Sequence, residues 1–442
     1  MKNIHTIITT LLCVACLSTW AICHSNTVIS IRSRAAKSQQ NNDATHNSPK
    51  YMTYLPHSGL HNQRISLINA MVIAHALNRT LLMPELNIGS ATFWADANEL
   101  AKQLELCPTY VKQNKEAGRR LRCHVYRKYN PLPVESIFDL SSAHALDIHT
   151  EQRSDMSRDY IHRHASTHQL NETVYSVQDP FRYSYQIHDH DPNLYAFKHQ
   201  DLNDQYLEHI DMNELRSRSE TYLVFGSLFG TSRLQLHEPE MLWLREYLHR
   251  TTGLNHPEIT YSSQKIIQAL GDRYTSVHLR QGDGIFQKMA TETIAQVESA
   301  LLSNLTMSYV SNNNSKSKQM VQRLKSTTSA QERLKQCRFA QGVLQDPQLE
   351  MIYLATDAAN PQQEYPHMFD RYPCLFTLSD FYNAKILLQR KRHDKMDSLL
   401  PPMIDAEIAS HADLFIGTPK STYSAYVRYR NQHYRVLDFF SQ

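Results

Sequence analysis

Tyr274-Thr275-Ser276-Val277-His278-Leu279-Arg280-Gln281-Gly282-Asp283 reads as a buried strand that stops on an arginine, a glycine turn and an aspartate. Two stretches downstream repeat the design. Met351–Asp357 (MIYLATD) is an apolar run ending on Thr356-Asp357, and Leu414–Gly417 (LFIG) runs into Thr418-Pro419-Lys420-Ser421-Thr422-Tyr423. Segments of helical period surround them: Ser263–Leu270, Thr291–Leu305, one long helix over Met320–Val343, Ile404–His411 and Tyr423–Asn431. Leu375–Leu378 adds a short strand, and Asn312–Lys318 a polar linker. Strands alternating with helices predict a parallel sheet with right-handed crossovers. Ligands of such sheets lie beyond the carboxyl ends of the strands, where all three polar clusters fall.

A second series opens the folded part of the chain. Tyr51–Leu55 is a short strand, followed by the turn His57-Ser58-Gly59. Ile65, Ile68, Val72 and Ala76 then repeat at helical spacing as far as Asn78, and Thr80–Met83 is a strand stopped by Pro84. Residues 85–215 are polar and tyrosine-rich, with eight histidines from His144 to His199, and read as inserted helices and long loops. Thr221–Gly226 (TYLVFG) is a buried strand. The whole predicts an α/β protein of two doubly wound, Rossmann-type domains facing a cleft, over 51–250 and 251–442.

Each strand end has a chemical reading and a plain one. Arg280 can fork two phosphate oxygens; its plain reading is an ion pair with Asp283. Asp357 can accept from a ribose hydroxyl or from the paired N–H donors of guanine; it can equally cap a helix. Ser421 and Thr422 at a helix start form a natural phosphate seat; hydroxyls there also serve as simple caps.

Composition narrows the class. The 442 residues are 41% apolar and 20% charged, with 46 Lys+Arg against 43 Asp+Glu. That excludes a polytopic membrane protein, a rod or a disordered chain, and argues against a dedicated nucleic-acid binder. There are only 11 glycines, about 2.5% against a usual ~7%, and neither GxGxxG nor GxxxxGK[ST] occurs. A bound nucleotide is then held by something other than a glycine cradle.

The first 23 residues, Lys2 followed by the apolar Ile4–Cys23, read either as a signal peptide cut near Ala21 and Cys23 or as a single-pass type II anchor. Arg32, Arg34 and Lys37 oppose an anchor with its N-terminus inside. Residues 24–50 are a Ser/Asn/Gln-rich stem. Both readings send the chain into the secretory pathway, to the lumen of the endoplasmic reticulum or Golgi. Sequons at Asn78, Asn171, Asn304 and Asn313 fit that compartment. Outside the leader four cysteines remain, most simply paired Cys107–Cys123 and Cys337–Cys374, although four cysteines allow three pairings.

Several motifs in family order resemble the GDP-fucose protein O-fucosyltransferase superfamily in a divergent, fungal-type branch. They are Ser58-Gly59-Leu60-His61-Asn62-Gln63 followed by LNRTLLMPE (77–85), HLRQGD (278–283), ATD (355–357), and Asp405 with HADLFIGTPKSTYSAYVRYR (411–430). Between residues 86 and 270 no motif of the family is recognised. The resemblance implies a GT-B-like inverting glycosyltransferase, a monomer that carries fucose from GDP-fucose to a hydroxyl, such as Ser or Thr of a protein. No metal or resident cofactor is expected. Arg280 is similar to the family's essential arginine at the diphosphate. His278, Leu279, Asp283 and Asp357 match positions around the nucleotide, Ser421, Thr422 and Tyr423 the phosphate loop, and Gly59, Leu60, His61 and Asn62 a loop of the first domain. Some members carry a glutamate base in that loop. HSGLHNQ has no carboxylate, which leaves His57 or His61 as a candidate base. Transfer of another deoxyhexose such as rhamnose, or a silent sugar-nucleotide or glycan binder, are the alternatives.

Three other signals are set aside. Asp189-His190-Asp191 is a formal DxD metal motif, but no strand is evident ahead of it. His162, His164 and His168 have zinc-ligand chemistry and read as surface histidines. Arg390-Lys391-Arg392-His393 reads as a solvated loop face. No GxSxG or HExxH supports a hydrolase.

Overall fold

The computed structural model describes residues 48–113, 122–189, 205–230, 232–271, 273–282, 284–308, 315–344, 346–383 and 399–441. The leader, nearly all of the stem, Asp283, Asn313, His190–Asp191 and the Arg390–His393 run lie outside the described residues. Among the described residues no helix is long and apolar enough to cross a membrane.

The chain divides into two compact units, one built from the residues up to Tyr129 with Leu140–Leu248, the other from Asn130–Asp139 and the residues from His249 onward. The first unit contains strands β1 (Tyr51–Thr53), β2 (Thr80–Met83), β3 (Thr150–Gln152), β4 (Val174–Ser176), β5 (Tyr185–His188), β6 (Glu208–Asp211), β7 (Tyr222–Val224) and β8 (Leu234–Gln235). Its helices include α1 (Leu60–Leu77), α2 (Ala97–Lys112) and α3 (Tyr160–Thr167). The main sheet has the order β3-β2-β1-β7-β4, parallel throughout, and β8-β5-β6 form a second small parallel sheet. Helix α1 is apolar on nearly every side after Ile65, so it is buried along most of its length.

Residues 85–215 are therefore not only helices and loops: six strands lie among those described, the four named above and the two-residue Leu86–Asn87 and Pro131–Leu132. β3 (Thr-Glu-Gln) and β4 (Val-Tyr-Ser) are three residues each, polar and half-exposed at the two edges of the sheet. Such edges leave no apolar run to read.

The second unit holds β9 (Thr275–Leu279), β10 (Ile352–Thr356), β11 (Leu375–Phe376) and β12 (Leu414–Gly417) in the parallel order β11-β10-β9-β12. Its helices include α4 (Pro257–Leu270), α5 (Ala290–Ser308), α6 (Ser315–Ser326), α7 (Ala330–Leu344), α8 (Pro401–Ser410) and α9 (Thr422–Ser441). Val277 and Leu279 point to one face, against Val297 and Leu301 of α5. Ser276 and His278 point to the other, against α8 and α9. This is the alternation of a strand buried on both sides. The long helix expected over 320–343 is two helices. Ser329 starts the second, taking the N–H of Glu332 on its hydroxyl and that of Arg333 on its carbonyl.

One expected boundary moves. Residues 130–139, placed by sequence in the first domain, go with the second unit. Backbone bonds from Asp139 to Gly253 and from Asn255 to Ile137 tie them to the chain around Leu254, which bridges Phe138. Disulfides join Cys107 to Cys123 and Cys337 to Cys374.

Candidate active site

In the second sheet the chain runs outward in opposite directions from between β9 and β12. That switch point opens a crevice at the carboxyl ends of these two strands. Arg280 follows β9, and Thr418 to Thr422 follow β12, so the topology itself brings the expected arginine and the hydroxyl-rich helix start together. Thr418 is the clasp. Its hydroxyl donates to the His278 carbonyl at 2.8 Å and accepts from the Arg280 N–H at 3.0 Å. The Arg280 guanidinium, partly exposed, lies over the Phe286 ring at 4.8 Å.

Asp357, exposed at the end of β10, reaches across to the same turn. Its carboxylate accepts from the N–H of Gln281 at 2.9 Å and of Gly282 at 3.0 Å. It is neither a helix cap, a place taken by Asn360, nor an idle acceptor: it holds the loop that carries Arg280. Gly282 leaves room for that closeness, since a Cβ there would meet Asp357 Oδ2 at 2.8 Å and the carboxylate would have to shift. Gly417 is packed as tightly, with Ser424 and the Phe415 ring 2.8 Å from a virtual Cβ.

Two residues expected beside the nucleotide face inward. Leu279 belongs to the apolar core, 1% exposed, because strand alternation turns it toward α5. His278 is buried, with Nδ1 2.7 Å from Ser424 Oγ and its ring stacked 4.3 Å from that of Tyr423. Burial, with the nearby Arg280 charge, lowers its pKa to about 3, so it ties β9 to α9 as a neutral imidazole. Tyr423 is likewise buried against His278. Ser421 caps α9, accepting from the Ser424 N–H at 3.3 Å, and Thr422, partly exposed, opens the helix. Asp405 sits on α8 and accepts a hydrogen bond from the Tyr353 hydroxyl. Desolvation pushes its carboxyl up to about 7 against the pull of that bond.

The first unit repeats the layout at its own switch point, between β1 and β7. Gly59 precedes α1, and Leu60, His61 and Asn62 form its first turn, all partly exposed. No side chain caps this helix. His57 is buried, with Nδ1 2.8 Å from Ser58 Oγ and Nε2 2.6 Å from Ser227 Oγ. Burial, then the charges of Arg233 and Arg182, lower its pKa to about 4. With both nitrogens engaged, His57 is a structural residue and not the candidate base; His61 keeps that position.

Sequence reasoning passed over the residues that brace these loops. Thr418 and Ser424 lay inside the quoted motif, unremarked because hydroxyls beside a helix start look like ordinary caps. Asp179 lies in the stretch with no readable pattern, and Ser227 directly follows the TYLVFG strand. Ser227 takes His57, and its N–H donates to Asp179 Oδ2 at 2.8 Å.

Among solved structures, the chain is similar to POFUT1 in complex with GDP, at 13% identity and TM-score 0.42, over 88% of this chain and 96% of that one. It is similar also to the fucosyltransferase NodZ from Bradyrhizobium, at 12% identity and TM-score 0.37, over 86% and 93%. No curated protein matches the chain. The model of the family "GDP-fucose protein O-fucosyltransferase" matches residues 119–434, well over half of the sequence and the whole of the second sheet. The chain is thus a glycosyltransferase belonging to the GDP-fucose protein O-fucosyltransferase family.

Proposed function

We propose that this enzyme transfers fucose from GDP-fucose, with inversion, to a hydroxyl of a protein Ser or Thr. Family membership supports the reaction. The observation that carries the mechanism is the junction of Arg280, Thr418 and the start of α9 at one switch point. The diphosphate sits on the N-terminus of α9 and within reach of the Arg280 fork. As the acceptor oxygen attacks the anomeric carbon, the bond from that carbon to the β-phosphate breaks, and negative charge grows on the departing GDP. A cation held beside that oxygen stabilises the transition state more than the ground state. Asp357 keeps the Arg280 loop in place through the two amides it holds. In the HSGLHNQ stretch His61 is the candidate to take the acceptor proton. Donor binding uses no metal in this reading, and the enzyme acts as a monomer.

The compartment we propose is the lumen of the secretory pathway. Two disulfides suit an oxidising environment, and the sequon residues Asn78, Asn171 and Asn304 are exposed.

The test is Arg280→Ala in the full chain, assayed for transfer to candidate acceptor proteins and for hydrolysis of GDP-fucose. Both activities are expected to fall together while thermal unfolding is unchanged. Retained transfer sinks the mechanism. Thermal stabilisation by GDP but not UDP checks the donor, and equal response to both would overturn the assignment of guanine.

A further inference from the structure

A second cluster lies at one edge of the first unit's main sheet. Helix α3 presents His164 and His168 four residues apart, hence on one side of the helix. Glu151 rises beside them from β3, the strand at the edge of the sheet. One ligand atom from each of the three lies within 4.8 Å of the others. His162, which sequence alone groups with His164 and His168, is turned away and pairs with Glu172 at 2.6 Å.

We propose that Glu151, His164 and His168 form a binding site for a divalent transition-metal ion, with zinc as the ion the donors suit best. Two imidazoles and one carboxylate are a usual zinc set, with a fourth position left to water. His164 Nε2 and Glu151 Oε1 are 3.1 Å apart, close to the ~3.3 Å edge of a tetrahedron with bonds of about 2.05 Å. His164 is also supported as a ligand should be. Its Nδ1 lies 2.8 Å from the Tyr222 hydroxyl, and its ring is wedged against Tyr51 at 4.8 Å. A partner on the far nitrogen fixes the tautomer and aims the near one at the ion. His168, the exposed residue that ends α3, has its ring 4.4 Å from that of His164, so a rotation of its side chain covers the distance still required.

The ion would join α3 to the edge strand. β3 spans three residues and is bonded on one side only, to β2. A metal bound there links it to a helix packed over the sheet through His164, Tyr51 and Tyr222, and thereby stabilises the folded unit. None of these residues belongs to the proposed catalytic machinery.

The experiment uses the full chain, stripped with chelator and titrated with zinc chloride alone in a calorimeter and in thermal unfolding. Cobalt(II) serves as the spectroscopic substitute. One tight equivalent of zinc, a rise in Tm of several degrees and an intense visible cobalt band are expected. His168→Ala and Glu151→Gln, both at accessible positions, are expected to weaken zinc at least tenfold and to abolish the cobalt band. His162→Ala is expected to leave all three readouts unchanged. Absence of a tight equivalent overturns the site. So does zinc binding that survives both His168→Ala and Glu151→Gln, or that is lost equally in His162→Ala.

Discussion

Helix α1 in the first unit and helix α9 in the second begin in the same way, each just after a strand beside its sheet's switch point. Each is reached through a non-glycine residue in the left-handed region, Ser58 at φ 70° and Lys420 at φ 61°. They are finished differently. The start of α9 is capped by Ser421 and locked from below by the His278–Ser424 bond, the Tyr423 stack and the Thr418 clasp. The start of α1 has glycine at the cap position and no side-chain cap, and Asn62 Oδ1 is buried without a hydrogen-bond partner among the described residues. Ser421 takes the Ser424 amide, and the bonds beneath the start of α9 hold its first turn in place. A helix start left uncapped is completed by whatever binds there. On the function proposed above, the second unit seats the diphosphate and the open start of α1 is left for the rest of the reaction.

That contrast can be broken from either side. The largest effect is expected for Arg280→Ala, which removes the charge but not the backbone bond to Thr418. kcat/KM should fall about 10²–10³-fold, roughly 2.7–4 kcal/mol of transition-state stabilisation. A greater loss from His61→Ala than from Arg280→Ala would reverse the comparison. Asp357→Ala leaves two amides of the arginine loop without their charged acceptor, which costs about 1.5–3 kcal/mol. GDP affinity should drop tenfold or more by calorimetry, with the fold retained because the site is exposed.

The next test is acid. His57 and His278 have pKa values of about 4 and about 3 in the folded chain, below the ordinary 6.5. The unfolded chain therefore takes up these protons first. Their contribution is complete above pH 6.5 and is lost as the pH falls toward 4. Between pH 6.5 and 5.5 each costs about 1 kcal/mol. Asp405, raised to about 7, works in the opposite direction, so the clean readout is a difference. Denaturant unfolding of His57→Gln should lose about 1 kcal/mol less than wild type over that interval, and identical slopes would remove the buried neutral histidine from the account.

Ser421→Ala should cost about 1 kcal/mol of stability through the lost cap of α9. The smallest change is Gly59→Ser. There is room for it, since a Cβ at Gly59 has Ala91 Cβ as its nearest neighbour at 4.0 Å. Capping α1 should add a few tenths of a kcal/mol yet reduce turnover, because it spends amides that the comparison reserves for substrate. Raised turnover would show that the open start is incidental.

The second unit was largely legible because its strands are buried on both faces and announce themselves as apolar runs. YTSVHLR, MIYLATD and LFIG each end within a residue or two of the strand they predict. What sequence could not supply was direction. Leu279 and His278 sit in a functional-looking motif, and only the pleat shows one in the core and the other on α9. Asp357 read as a ligand contact because its partners, two backbone amides 75 and 76 residues away, have no side-chain signature. In the first unit β3 and β4 are short, polar edges, and Asp179, inside an insertion without periodicity, is joined to Ser227, 48 residues on and just past the TYLVFG strand.

The grip of Asp357 on the arginine loop has a thermodynamic consequence. Its carboxylate belongs to the neighbouring strand, so the loop's torsions are set by the sheet's register rather than by the loop's own preferences. Little backbone freedom is left to be frozen when a diphosphate arrives. In the proposed reaction, nucleotide capture then has a small ordering cost, and the arginine is already near its working position when charge begins to move.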